Sequence, residues 1–339
     1  MSITALRPTM RASRATIRGV ALRRTFSSTT HNQASWGFIG LGQMGYNMAK
    51  NLRQKIPKED TLYIQDVNSA ATAKFVTEFP GADIIVSKTA REVAENAETI
   101  VSALPNPPLV KSVYESILSP GALPKFQNER LFIDTSTIDP TTSISVAETI
   151  SQKGEGSFID APMSGGVVGA SAGTLSFMLG CPDTLVPRAT KVLSLMGRKV
   201  IHMGPPGSGL KAKLANNYLL ALNNIAASEA MHMGIAWGLK PADLAGLINI
   251  STGKCWPSEV NNPVPGVVAT SPASRNYDGG FGVALMNKDL KLALKACADA
   301  NVSTALGDKA AEVYSAVEGD AELKSKDFSV VYRWLGGKE

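Results

Sequence analysis

Residues Gly37-Phe38-Ile39-Gly40-Leu41-Gly42-Gln43-Met44-Gly45 carry a short apolar strand into Gly-x-Gly-x-x-Gly, and helix-forming residues from Tyr46 to Leu52 follow at once. That order is what a dinucleotide site requires. Gly40 permits a tight turn, Gly42 leaves the backbone bare for a pyrophosphate, and Gly45 lets the helix pack close to the strand. The segment Leu41, Gln43 and Met44 then presents first-turn amides to the phosphates, where the helix dipole favours negative charge. Thr61-Leu62-Tyr63-Ile64-Gln65-Asp66 predicts a second strand ending in an acid, 21 positions beyond Gly45. This is near the spacing of a carboxylate that binds the adenosine ribose hydroxyls. A carboxylate there repels a 2′-phosphate, and neither Val67 nor Asn68 offers a cation to attract one. The expected cofactor is NAD rather than NADP.

Short apolar runs then alternate with helical spacing. Ile84 to Val86, Thr99 to Leu104 and Arg130 to Asp134 have the brevity of buried parallel strands, and Ser157 to Asp160, Leu175 to Leu179 and Lys199 to Ile201 continue the alternation. Leu109 to Leu118 and Pro140 to Ile150 predict intervening helices. The pattern implies a doubly wound α/β domain of Rossmann type over residues 34–202. Gly204-Pro205-Pro206-Gly207-Ser208-Gly209 breaks it, and helical spacing follows, which predicts an all-α domain over residues 203–335. Ser208 is the expected cap of a long helix from about Gly209 to Trp237. Asn261 to Gly280 is rich in Pro, Gly, Ser and Asn and predicts an irregular loop over the site.

The formal charge of +5 invites a nucleic-acid reading, but its placement excludes one. Arg7, Arg11, Arg14, Arg18, Arg23 and Arg24 precede the first strand, and no acid precedes Glu59. Setting those six aside leaves 28 of the 34 basic residues against 29 acidic ones, a net of −1, so the body has no basic field for a phosphate backbone. Residues 1–32 are rich in Arg, Ser and Thr and lack an apolar core, as a mitochondrial transit peptide does, with cleavage expected near Phe26 to Ser28. Cys181, Cys255 and Cys297 form no CxxC pair, which fits a reduced compartment, and no His/Cys/Asp/Glu group has metal-ligand spacing. Tyr218 to Trp237 is the nearest approach to a membrane span, but Asn223, Asn224, Glu229 and His232 interrupt it. No membrane or metal partner is expected.

Candidate acid/base groups are few. His31 lies in the targeting segment, and His202 and His232 have no acidic partner nearby in sequence. Lysine remains. Lys211 and Lys213 open the long helix, and Lys213 shares a face with Asn217 at i, i+4. A lysine partly desolvated beside a dinucleotide has its pKa lowered toward neutrality. Spacing alone does not distinguish it from a solvated surface charge. Asp160-Ala161-Pro162-Met163-Ser164-Gly165-Gly166 runs from a strand end into a small-residue loop and a helix start. The Ser164 hydroxyl with the Gly165 and Gly166 amides suits an anion, and a carboxylate more than a phosphate.

Four blocks together resemble the β-hydroxyacid dehydrogenase family: Gly37 to Gly45, Asp160 to Gly173, Gly207 to Asn217 and Phe281 to Leu290, in family order within residues 36–335. The resemblance implies that Lys213 is the catalytic lysine, Asn217 its partner, and Ser164, Gly165 and Gly166 the loop for the substrate carboxylate. It implies that Leu104, Pro105 and Thr137 contact the nicotinamide side, and that Lys288 reaches the cofactor side from the helical domain. Asn106-Pro107-Pro108 departs from the animal pattern. The implied activity is NAD-dependent oxidation of a short 3-hydroxy acid. The first expectation is 3-hydroxyisobutyrate, converted to methylmalonate semialdehyde in valine breakdown in the mitochondrial matrix. Relatives acting on tartronate semialdehyde, succinic semialdehyde or glyoxylate are the alternative. A non-catalytic module on the same fold would be expected to lack Lys213 and carry a DNA-binding arm. The long apolar helices point to a subunit interface, and the resemblance implies a homodimer or homotetramer.

Overall fold

The computed structural model describes residues 1–2, 33–119 and 121–338. The expected transit peptide, with His31 and the cleavage region at Phe26 to Ser28, lies outside the described residues apart from Met1 and Ser2.

In chain order the first half runs β1 (Ser35–Ile39), α1 (Gln43–Lys55), β2 (Thr61–Gln65), α2 (Ser69–Glu78), β3 (Ile84–Val86), α3 (Ala90–Asn96), β4 (Thr99–Ser102), α4 (Pro107–Leu118), β5 (Leu131–Asp134), α5 (Pro140–Gln152) and β6 (Ser157–Asp160). There follow β7 (Met163–Ser164), α6 (Gly166–Ala172), β8 (Leu175–Gly180), α7 (Val186–Leu193) and β9 (Gly197–Gly204). The remainder is helical: α8 (Ser208–Ala236), α9 (Pro241–Ile250), α10 (Trp256–Glu259), α11 (Val283–Asp299), α12 (Gly307–Gly319) and α13 (Val331–Trp334).

The strands order as β3-β2-β1-β4-β5-β6-β8-β7, with β9 also on β8. The first six pair in parallel, and the direction of winding reverses between β1 and β4. Ligands of such sheets bind at that reversal, beyond the carboxyl ends of the strands. The sheet is not parallel throughout: β8 runs antiparallel to both β6 and β7, because the chain turns back through Gly165 and α6 after β7. The sequence alone predicts a plain loop where β7 stands.

Both faces of the sheet are covered. Phe38, Met48, Leu52, Ile64 and Phe75 pack on one side, and Ile100, Val110, Tyr114, Phe132 and Ile150 on the other. The helical half has its own apolar centre around Tyr277, Met286, Leu290, Tyr314 and Phe328. At about 25 cal/mol per Å² of apolar surface removed from water, clusters of this kind dominate folding. No helix among the described residues is long and apolar enough to cross a membrane.

The long helix α8 departs from the expected capping. Its N-cap is Gly207, in the left-handed region at φ 86, and no side chain caps it locally. Ser208 is its first residue. The acceptor comes from another strand: Asp160, at the end of β6, takes the Gly207 amide at 2.6 Å and the Leu210 amide at 2.9 Å.

Candidate active site

The glycine turn has the shape its sequence implies. Gly40 has φ 93, and a Cβ there would strike the Ala103 carbonyl oxygen. A Cβ on Gly45 would strike the Gly40 carbonyl oxygen, so α1 lies against the turn at a distance only glycine allows. A Cβ on Gly42 would meet nothing within 4 Å. That open space lies beside an α1 N-terminus with no side-chain cap, and Leu41, Gln43 and Met44 flank it. These features fit a pyrophosphate. Asp66 stands one residue past β2, and its carboxylate accepts the Leu41 amide and, at 2.7 Å, the Asn68 amide. It is therefore fixed to the glycine loop itself. Asn106 caps α4 through the Leu109 amide at 3.0 Å, with Pro107 as the first helical residue. The departure at Asn106-Pro107-Pro108 is a helix start.

The second half of the site forms where α8, β7 and α11 meet. Lys213 is only 8% exposed, and its Nζ donates to Ser164 Oγ at 3.0 Å. Burial pushes its ammonium from 10.5 down to about 8; Asp289 opposes the fall and Lys288 adds to it. Asn217, one turn further along α8, donates to Asp289 Oδ2 at 2.7 Å. Asp289 Oδ1 lies 3.3 Å from Lys288 Nζ. Lys288 in turn donates to the Thr137 carbonyl at 2.8 Å and the Pro105 carbonyl at 3.3 Å. It thereby ties the helical half to the ends of β4 and β5. The Leu104 amide joins the same edge through Ser136 Oγ at 2.8 Å.

After Ser164 the chain passes through Gly165 at φ 132 and Gly166 at φ 60. A Cβ on Gly166 would meet nothing within 4 Å, so the turn is open at that position. The helix that follows, α6, is docked on α1, because buried Asn51 of α1 donates to the Ala170 carbonyl at 2.8 Å. The Ser164 turn and the Gly40 to Gly45 turn are thus held in one frame.

Comparison with known proteins places the two halves of the chain in known families. Residues 35–204 match the family described as the NAD binding domain of 6-phosphogluconate dehydrogenase. Residues 207–335 match the family described as NAD-binding of NADP-dependent 3-hydroxyisobutyrate dehydrogenase. The chain is 41% identical over 309 residues to the probable mitochondrial 3-hydroxyisobutyrate dehydrogenase of Dictyostelium discoideum, covering 91% of this chain and 92% of that protein. It is 40% identical over 304 residues to the mitochondrial 3-hydroxyisobutyrate dehydrogenase of Homo sapiens, covering 89% and 87%.

This chain belongs to the 3-hydroxyisobutyrate dehydrogenase family.

A solved structure of the Mycobacterium tuberculosis 3-hydroxyisobutyrate dehydrogenase with L-serine superposes with a TM-score of 0.80 at 35% identity, covering 89% of this chain and 99% of that one. Family membership makes the protein a dehydrogenase with a nicotinamide dinucleotide site on its Rossmann half.

Within this family framework the structure adds two acids to the expected residues. Asp289, adjacent to Lys288, supports both the Lys213 charge and the Asn217 amide. Asp160 holds the start of α8. A charged residue at a core-facing position of α11 was the available signal for the first. An acid closing an apolar strand was the signal for the second. Tyr277 is fully buried in the helical core and donates to the Pro263 carbonyl. Phe281 packs edge-on against Phe328, and Trp256 is half exposed.

Proposed function

We propose that the protein oxidises 3-hydroxyisobutyrate to methylmalonate semialdehyde, with NAD as hydride acceptor and Lys213 as proton acceptor. One observation carries the reading: a lysine amine nearly stripped of water lies within hydrogen-bond distance of a serine hydroxyl on a glycine turn suited to carboxylate. An amine with a pKa of about 8 is neutral in roughly a tenth of molecules at pH 7 and mostly neutral a little above 8, near the optimum for proton transfer.

Gly40, Gly42 and Gly45, with the Leu41, Gln43 and Met44 segment, hold the pyrophosphate, and Asp66 binds the ribose hydroxyls. Leu104, Pro105 and Thr137 border the nicotinamide, and Lys288 closes that border from α11. The nicotinamide, when bound, supplies the carbon that takes the hydride. Ser164 and the Gly165 and Gly166 amides hold the acid's carboxylate. Asn217 gives one amide hydrogen to Asp289 and keeps the other for the substrate hydroxyl. Lys213 takes the hydroxyl proton as the adjacent C–H bond gives up its hydride, and a carbonyl forms. Asp66 supports NAD over NADP, because a fixed carboxylate at the ribose opposes a 2′-phosphate.

In the same reading residues 1–32 are a mitochondrial transit peptide and the enzyme works in the matrix on an intermediate of valine breakdown. The acid-free Arg/Ser/Thr composition supports this, as do the mitochondrial names of the relatives. Residues 34–202 bind the cofactor, and residues 203–335 complete the substrate site and the subunit contact. Exposed Met233, Trp237, Leu247, Ile250, Trp256 and Val260 on α8 to α10 support a homo-oligomer. Steady-state kinetics with NAD and NADP against short 3-hydroxy acids test the substrate. The reading requires 3-hydroxyisobutyrate with NAD to give the highest kcat/KM. A higher value for the acids that yield tartronate semialdehyde or succinic semialdehyde, or for glycolate, would replace it.

A further inference from the structure

The catalytic pair Lys213 and Ser164 sits on two elements that are far apart in sequence, and one buried residue links them: it ends the strand that leads into Ser164 and holds the start of the helix that carries Lys213. Asp160 ends β6 only four residues before Ser164. Its carboxylate accepts the Gly207 and Leu210 amides of α8, the second only three residues before Lys213. Asp160 is 1% exposed and packed between glycines: a Cβ on Gly180 of β8 or on Gly209 of α8 would run into its carboxylate oxygens. Beside it on β5, at the same register, is Asp134. Asp134 is fully buried as well, and its carboxyl is pushed up to about 6 by desolvation, against the hydrogen bonds from Ser136 and Ser102 and with a smaller contribution from Asp160. Two buried acids side by side are costly, so a carboxylate kept there has a compensating task. The open N-terminus of a 29-residue helix supplies the compensation, because its amides and dipole favour a negative charge.

The geometry points to Asp160 as the positioning residue of the reaction: by fixing the first turn of α8 to the strand that leads into Ser164, it sets the Lys213 amine against the Ser164 hydroxyl. The inference rests on the reading of Lys213 as proton acceptor and extends it. Asp160 touches neither substrate nor cofactor in this account. It acts on where Lys213 stands. The groups facing Lys213 are Ser164 from β7 and Asp289 and Lys288 from α11, with Asn217 on its own helix.

Asp160→Asn keeps the size but turns an N–H₂ toward one of the two amides, donor against donor. Gly180→Ala keeps the charge but pushes the carboxylate off its seat. In either variant α8 loses its anchor and Lys213 gains water. The kcat for oxidation should fall on the order of 10²-fold, as for a misplacement of about 1 Å, with KM for NAD unchanged. The pH midpoint of kcat/KM should rise from about 8 toward the 10.5 of a hydrated lysine. The sign discriminates, because loss of a nearby negative charge alone would lower that midpoint. A destabilised but correctly built site would leave it in place. Either variant that folds, judged by NAD binding, decides the matter. An unmoved or lowered midpoint, or wild-type kcat, overturns the role. Failure of both to fold also overturns it, since the acid would then serve the fold as a whole. Failure of the Lys213 reading is distinguishable, because the wild-type profile would then have no midpoint near 8.

Discussion

Replacing Lys213 with Met should stabilise the fold while removing the proton acceptor. The side chain is nearly inaccessible, and its ammonium falls from 10.5 to about 8 mainly through burial. At about 1.4 kcal/mol per pH unit, that interval corresponds to about 3 kcal/mol held against the folded state at pH 7. Met fills the space of the stem, and leaving Ser164 Oγ without its donor returns about 1 kcal/mol. The expected gain is about 2 kcal/mol, or a few degrees in Tm. The sign follows from the lowered pKa. The folded state releases the lysine proton at lower pH than the unfolded chain, so the burden is complete below about 8, fades as pH rises, and is gone above 10.5. Urea denaturation of wild type and Lys213→Met without cofactor, at pH 7 and pH 10, measures this directly. The variant should be more stable at pH 7, and the gap should shrink at pH 10. A less stable variant at pH 7, or a gap independent of pH, would refute the claim that a desolvated charge sits at this position.

Asp66→Ala should raise KM for NAD and narrow the difference between NAD and NADP; a wild type that already prefers NADP would contradict the role given to that carboxylate. Asp289→Asn removes the one influence that raises the Lys213 pKa, so the pH midpoint of kcat/KM should move below about 8, by about one pH unit or more. A midpoint that stays or rises would show that Asp289 does not act on Lys213. Ser164→Ala should raise KM for the hydroxy acid with KM for NAD unchanged, and unchanged saturation by the acid would remove Ser164 from the carboxylate site.

The parts of this molecule legible in sequence are those governed by neighbours along the chain. Gly40, Gly42, Gly45 and Asp66 form one βαβ unit, where turn sterics and strand length fix the geometry within a few dozen residues. The central strands announce themselves because burial on both faces demands continuous apolar runs, although β2 and β4 end one and two residues earlier than those runs imply. The outer strands β3 and β9 are largely exposed, so Ile84 to Val86 is a strand but not the buried one its brevity predicts. Lys213 and Asn217 share a helical face by periodicity, but desolvation of Lys213 depends on α11 closing over it, which no local pattern encodes. The cap of α8 is Gly207 rather than the expected Ser208 for the same reason. Propensity favours a serine at that position, whereas a strand-end carboxylate 47 residues earlier in the chain supplies the acceptor. The Lys288 contacts with Pro105 and Thr137 span 183 and 151 residues, and no local pattern encodes them; the family resemblance implies only that Lys288 reaches the cofactor side.

The pH dependence of kcat/KM for 3-hydroxyisobutyrate oxidation, measured on wild type and Lys213→Met side by side, bears most directly on the amine at the centre of the site. The wild-type value should climb with a midpoint near 8. The variant should lose that limb, and its turnover should drop roughly 10²- to 10⁴-fold while it still binds NAD. A flat wild-type profile between pH 7 and 9, or a variant that turns over like wild type, would contradict the assignment.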